Sequence, residues 1–144
     1  MSSQPDSTDY RVTYVGHATI LIEIGGVRFR FFRVPHVSGP NVEKPAYGVE
    51  IDDGRSQILW SGDTTLSRPW LDATLGKSRV SRIFHECLFM PRIKGTVHTH
   101  WEELDALPDE LKARITLMHY TAVPDWADIG AMAGAAKRHE SFDL

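Results

Sequence analysis

Two consecutive glycines, Gly25-Gly26, separate segments in which apolar residues recur at every second position. Before them, Ala18–Ile24 places Ile20, Ile22 and Ile24 on one face. After them, Val27–Val34 sets Val27, Phe29 and Phe31 against Arg28 and Arg30. A period of two is the period of a strand, and a two-residue glycine turn folds two such strands into an antiparallel hairpin. Arg11–Val15 reads as a strand ahead of this hairpin. Tyr47–Ile51 and Gln57–Trp60 flank a second turn, Asp52-Asp53-Gly54-Arg55.

Further along, Arg82–Phe84 and Ile115–Met118 are short apolar strands that end on His85 and His119. Helices are fewer. Thr99-x-x-Glu102 has the form of a capping box opening a short helix to about Leu107, with Pro108 forcing a break before Asp109–Arg114. Asp125-x-x-Asp128 is positioned to start a last helix, with Trp126, Ile129, Ala133 and Ala136 on one stripe. Hairpins followed by strand–helix alternation predict an α/β layered fold. Arg11–Val34 and Tyr47–Trp60 are expected to form one antiparallel-rich sheet covered by the later helices.

At 144 residues the chain is the size of one domain. Residues 1–9 read as a loose, flexible tail and 10–144 as a single domain. With 42% hydrophobic and 24% charged residues, the composition excludes general disorder. The net charge of −3 gives no pointer to nucleic acid. Arg28, Arg30 and Arg33 interleave with Phe29, Phe31 and Phe32, a pattern open to a nucleic-acid face but more simply a solvated strand face. Cys87 stands alone, which excludes a disulfide framework and leads to the expectation of a reducing, cytoplasmic location. Neither a signal peptide nor a membrane span is visible.

Seven histidines provide most of the chemistry. Three strand ends carry a metal-ligand type: His36 in PHVSG, Asp63 in SGDT and His119 in LMHY. Imidazole with carboxylate suits zinc, with manganese or iron as alternatives. Each has a plainer reading, as a turn residue, an N-cap and a rim histidine. Cys87 reads as a structural thiol, and no Gly-rich phosphate loop or G-x-S-x-G elbow is present.

GHAT (Gly16–Thr19), LIEIGG (Leu21–Gly26), PHVSG, WSGDT, FHE and LMHY occur in this order. The chain thereby resembles the metallo-β-lactamase superfamily of metal-dependent hydrolases over about Val12 to Tyr120. FHECLF and GTVHTHWEEL look most like its phosphodiesterase branch, which includes ribonuclease Z. The resemblance implies an αββα sandwich, here truncated, with a mixed sheet and flanking helices. It implies His36 and His119 as ligands of two metals and Asp63 as their bridging carboxylate. It further implies catalytic roles for His85 and Glu86 in proton transfer and for His98 in holding the scissile phosphate. His17 in GHAT reads as an orienting or structural residue.

One motif of the superfamily is missing. Its His-x-His-x-Asp-His signature should lie between the opening hairpin and the strand leading to His36, and Val27–Val34 leaves no room for it. His98-Thr99-His100-Trp101-Glu102-Glu103 imitates that signature but follows SGDT. Ligand, phosphate contact and plain helix start all remain open for His98.

The resemblance therefore implies hydrolysis of a small phosphoester or nucleotide-type substrate by a metal-activated water, impaired by the lost motif. Weak binding of at most one transition metal is expected. The alternative is a non-catalytic binding module that associates with a second copy or another protein through an exposed sheet face. His36, Asp63 and His119 are expected to open onto one cleft, with His85 and His98 at its rim.

Overall fold

The computed structural model describes residues 10–16, 19–39, 42–76, 79–91 and 95–142. The expected tail 1–9, and Ala18 at the start of the second expected strand, lie outside these residues. One eight-stranded sheet runs in chain order. β1 (Tyr10–Gly16), β2 (Thr19–Ile24), β3 (Val27–Gly39), β4 (Val42–Asp52) and β5 (Gln57–Trp60) pair antiparallel. β6 (Val80–Glu86), β7 (Ile115–Met118) and β8 (Gly134–Ala135) continue the sheet parallel to β5. The result is an α/β fold with a mixed sheet and flanking helices. No helix among the described residues is long and apolar enough to cross a membrane.

Gly25 and Gly26 adopt φ of 55° and 85°, the left-handed conformations that a two-residue hairpin turn demands. Ile24 therefore faces Val27 directly, and β2 passes into β3 with nothing inserted. Arg28 and Arg30 lie opposite Asp52 and Glu50 on β4 and form cross-strand ion pairs with them. The basic, aromatic β3 thus presents a solvated, charge-paired face.

β3 runs further than the alternation predicts, and His36 lies within it. The register slips by one residue between Val34 and Val37, a bulge that accommodates Pro35 where a ladder donor would otherwise be required.

The parallel strands need crossovers, and these supply the helices. α1 (Arg68–Leu75) joins β5 to β6, while α2 (Trp101–Asp105) and α3 (Asp109–Lys112) join β6 to β7. α1 has little apolar periodicity to announce it; Pro69 in its first turn and an Arg68–Asp72 pair one turn apart support it. Leu71, Trp101, Leu104 and Leu111 from the helices, with Leu107 from the turn between α2 and α3, pack on Leu59, Ile83, Ile115 and Leu117. Truncating a fully buried leucine such as Leu104 in this layer costs about 2–5 kcal/mol.

The last expected helix is absent. Gly130 and Gly134 interrupt residues 125–136, and Asp128 closes a local turn onto the Gly130 N–H. Ala133 and Ala136 instead donate to Ile115 and Leu117, adding β8 to the sheet edge. α2 also starts later than the expected capping box. His100 is its N-cap, and the Glu103 carboxylate accepts the His100 N–H at 3.0 Å.

Asp52 joins β3, β4, β5 and the start of β6. Its carboxylate accepts from Arg28, Gln57, Arg79 and the Gly54 N–H. Burial raises its pKa, but hydrogen bonds from Gln57 and Gly54 and the charges of Arg28 and Arg79 outweigh it, leaving a net lowering below 3.8. The ionised form is therefore favoured in the folded state, so this stability is present above pH 3.8 and lost as pH falls below it. Asp52→Asn should cost about 1–2 kcal/mol at neutral pH and flatten the acid limb of the stability curve. Urea midpoints between pH 7 and 3 measure both effects, and an acid limb as steep as wild type would show that Asp52 does not produce it.

Candidate metal centre

β3, β5, β6 and β7 point the same way along the sheet, because β3 and β5 flank the antiparallel β4 and β6 and β7 run parallel to β5. Their carboxyl ends therefore share one edge. His36 lies near the end of β3, Asp63 follows β5, Glu86 ends β6 and His119 follows β7. Ligands of open α/β sheets characteristically bind at this edge. His98 reaches the same place from the β6–α2 connection.

Glu86 is the centre of the group and is 1% exposed. One carboxylate oxygen accepts the Thr64 backbone N–H. The other lies 2.7 Å from His98 Nδ1 and 3.3 Å from His119 Nδ1. His119 Nδ1 also lies 3.0 Å from the Asp63 carboxylate. The His98 ring centroid is 5.8 Å from that of His36 and 5.7 Å from that of His119. Ligand atoms of Glu86, His98 and His119 all fall within 4.8 Å of one another. They open into a cavity of about 330 Å³, lined also by Leu88, Tyr120 and Thr121.

The donor set fits a transition metal. One His119 nitrogen faces two carboxylates, which makes acceptors exceed protons at that point. His36 Nδ1 is buried beside the group without a hydrogen-bond partner among the described residues. Imidazole and carboxylate are the ligand types that zinc, manganese and iron take.

Local backbone geometry holds the group in place. Gly62 has φ of 63°, and a Cβ there would overlap the Tyr47 carbonyl oxygen. This close approach swings Asp63 back over the end of β5. His119 has φ of 57°, a conformation that costs a non-glycine residue roughly 1–2 kcal/mol. That bend turns the imidazole away from the line of β7 and toward Asp63 and Glu86.

The structure brings together His36, Asp63, Glu86, His98 and His119, but not His85. Strand alternation turns His85 to the helix-covered face of β6, where it is fully buried near Trp70. Its Nδ1 bonds the Glu86 carbonyl and its Nε2 has no partner among the described residues. Burial lowers its pKa below 6.5 despite that bond and the charges of Glu86 and Glu103. His100 is likewise fully buried, with Nδ1 on the Met90 carbonyl. Cys87 is buried, and desolvation together with Glu86 and Glu102 pushes its thiol up to about 12, so it is no nucleophile. His17 lies outside the described residues. Sequence reading missed two supports, Thr64 and Thr99; the only signal was their position next to Asp63 and His98.

The architecture matches known proteins. The structure of the metallo-beta-lactamase fold protein YhfI from Bacillus subtilis superposes with a TM-score of 0.51 at 16% identity, covering 81% of this chain and 50% of that one. The fold is thus the metallo-β-lactamase fold. The family model for Anti-Pycsar protein Apyc1 matches residues 7–142, and the chain belongs to that family. Anti-Pycsar protein Apyc1 of Paenibacillus sp. (strain J14) is 35% identical over 124 residues, which are 82% of this chain and 45% of that protein. The protein of the same name from Bacillus phage BSP38 is 32% identical over 91 residues, 62% of this chain and 30% of that protein. The chain spans less than half the length of these curated relatives.

Two substitutions test the backbone reading. Gly62→Ala should cost about 3 kcal/mol or more, because it adds the clash with Tyr47 to an unfavourable φ. His119→Gly should be about 1 kcal/mol more stable than His119→Ala, since both lose the imidazole and only glycine relieves the left-handed strain. Equal thermal midpoints for the two His119 variants would show that no strain is stored there.

Proposed function

We propose that this chain is a single-metal hydrolase acting on phosphoesters, in the manner of the phosphodiesterase branch that its motifs resemble. The observation that carries the reading is the convergence of Glu86, His98 and His119 within 4.8 Å, with Asp63 in contact with His119, at the floor of an open cavity. Glu86, His98 and His119 would hold the cation, with Asp63 as the adjoining carboxylate and His36 beside it. Zinc is the ion of choice, with manganese and iron as alternatives of the same ligand class. When bound, such an ion lowers the pKa of water and polarises a phosphoryl oxygen.

The chain's own residues supply the rest. Asp63 is half-exposed and offers a carboxylate that orients an incoming water and takes its proton. His98 is about one-third exposed and lines the cavity, where the ring N–H not turned to the cation would donate a hydrogen bond to the phosphoryl group. Leu88, Tyr120 and Thr121 form the walls against which the remainder of the ester rests. The buried, desolvated His85 lies on the opposite face of β6, so the proton-transfer role falls to Asp63. The anti-defence role suggested by the relatives' name, anti-Pycsar protein, is consistent with such chemistry and is part of the same proposal.

Calorimetric titration with zinc and with manganese should give one equivalent bound. Glu86→Gln and Asp63→Ala should each weaken binding by about tenfold or more. Hydrolysis of bis(4-nitrophenyl) phosphate should require the metal and fall at least a hundredfold in Asp63→Ala. Metal-independent turnover, or metal binding indifferent to Glu86→Gln, would overturn the assignment. Tight metal binding without any ester cleavage would transfer the chain to the binding-module reading.

A further inference from the structure

Thr64 uses all three of its polar groups on segments that carry the candidate centre. Its N–H binds the Glu86 carboxylate, and its carbonyl accepts the Thr99 hydroxyl at 2.8 Å. Its hydroxyl lies 2.9 Å from the Pro35 carbonyl, which also accepts the Thr65 N–H at 3.2 Å. The same hydroxyl has the Thr65 carbonyl as an alternative acceptor at 2.9 Å. Thr64 and Thr99 are 2% and 0% exposed. Each contact falls one residue from a member of the group: Pro35 precedes His36, Thr64 follows Asp63, and Thr99 follows His98.

We propose that Thr64 and Thr99 are positioning residues, a two-hydroxyl latch that sets the spacing of His36, Asp63, Glu86 and His98. The Ser61 hydroxyl adds a third tie, accepting the Glu86 N–H at 3.2 Å, but Thr64 and Thr99 alone among the described hydroxyls tie the segments of His36 and His98 to the Asp63 loop. Removing the Thr99 hydroxyl strands a buried carbonyl and frees the His98 segment from the loop that carries Asp63. Removing the Thr64 hydroxyl leaves the Thr65 N–H as the one hydrogen bond described between that loop and the Pro35 carbonyl beside His36, and so loosens the tie. Backbone shifts of a few tenths of an ångström there move imidazoles against a fixed carboxylate, which is how partners behind metal ligands govern affinity. The inference rests on the metal-centre reading, but its test includes a readout that needs no metal.

Thr99→Val and Thr64→Val keep side-chain volume and delete one hydroxyl each; Thr99→Ser and Thr64→Ser keep the hydroxyl. Ile115→Val, in the core under the helices, serves as a variant of comparable thermal destabilisation. Zinc titration should show at least tenfold weaker binding in both valine variants, recovery to within about twofold in both serine variants, and near wild-type binding in Ile115→Val. In the metal-free chain, side-chain nitrogen NMR should find His98 and His119 held as Nδ1–H tautomers facing Glu86 in wild type and the serine variants. The valine variants should show averaged signals. Unchanged affinity and unchanged ring signals in the valine variants would overturn the latch, as would failure of serine to restore them or an equal loss in Ile115→Val. If the wild-type chain binds no zinc, the metal-centre reading falls while the ring signals still decide the latch. The two independent hydroxyl deletions guard against loss of fold in either one.

Discussion

The structure is organised around a carboxylate that has no water to solvate it. Glu86 is 1% exposed, and an unpaired ion so buried costs several kcal/mol. It is kept by the Thr64 N–H, His98 and His119, each from a different segment. The loop after β5 must therefore fold back onto the end of β6, which only a residue without a Cβ at position 62 permits. The β6–α2 connection must come close enough to deliver His98, and β7 must bend at His119. One desolvated group thus dictates backbone geometry at three places and draws the site residues together before any ligand is present. That preorganisation favours a cation, since the ordering cost is met in folding and not on binding.

Sheet direction explains why the site motifs are spaced as they are along the chain. In a sheet laid down in chain order, β2 and β4 point away from the edge that β3, β5, β6 and β7 reach. PHVSG, SGDT, FHE and LMHY each stand at the carboxyl end of a co-directed strand, and the oppositely directed strands contribute no member. The helices follow from the same topology. Parallel pairing begins at β5, so crossovers and their leucines begin there too, and the buried core lies beneath β5–β7.

This also sets what could be read from the residues alone. Gln57–Trp60 and Ile115–Met118 were legible to the residue, because short apolar strands bounded by turn residues have little freedom to shift. The Gly25-Gly26 hairpin was legible because its positive φ values are a glycine property. Residues 125–136 misled, since their helical stripe ignored Gly130 and Gly134 and the open β7 edge that claims their N–H groups. Thr99 misled as well: the hydroxyl that looks like a cap is spent on Thr64, thirty-five residues away, and His100 caps the helix instead. At the site, His36, Asp63 and His119 stood out as ligand types at strand ends. The central place of Glu86 did not, because it depends on which face of β6 is left uncovered by helices. His85 and Glu86 are neighbours with opposite surroundings, and sequence cannot tell the two faces apart.

Charge balance sets how many cations such a group can take. The signature of the superfamily that the sequence resembles is expected between the opening hairpin and the strand leading to His36, and β3 runs from Val27 past His36 with no insertion. Among the described residues, Asp63 and Glu86 are the carboxylates in contact with the cluster, and His36, His98 and His119 are its imidazoles. Two carboxylates neutralise one divalent ion, and three or four protein groups are what one such ion requires. A second ion would bring two further positive charges with no further carboxylate among the described contacts to offset them, at close range and with water partly excluded, where like-charge repulsion is strongest. On the proposed reading, the two carboxylates that the described residues bring to the sheet edge balance one divalent ion, and a second would need an anion from solvent or substrate.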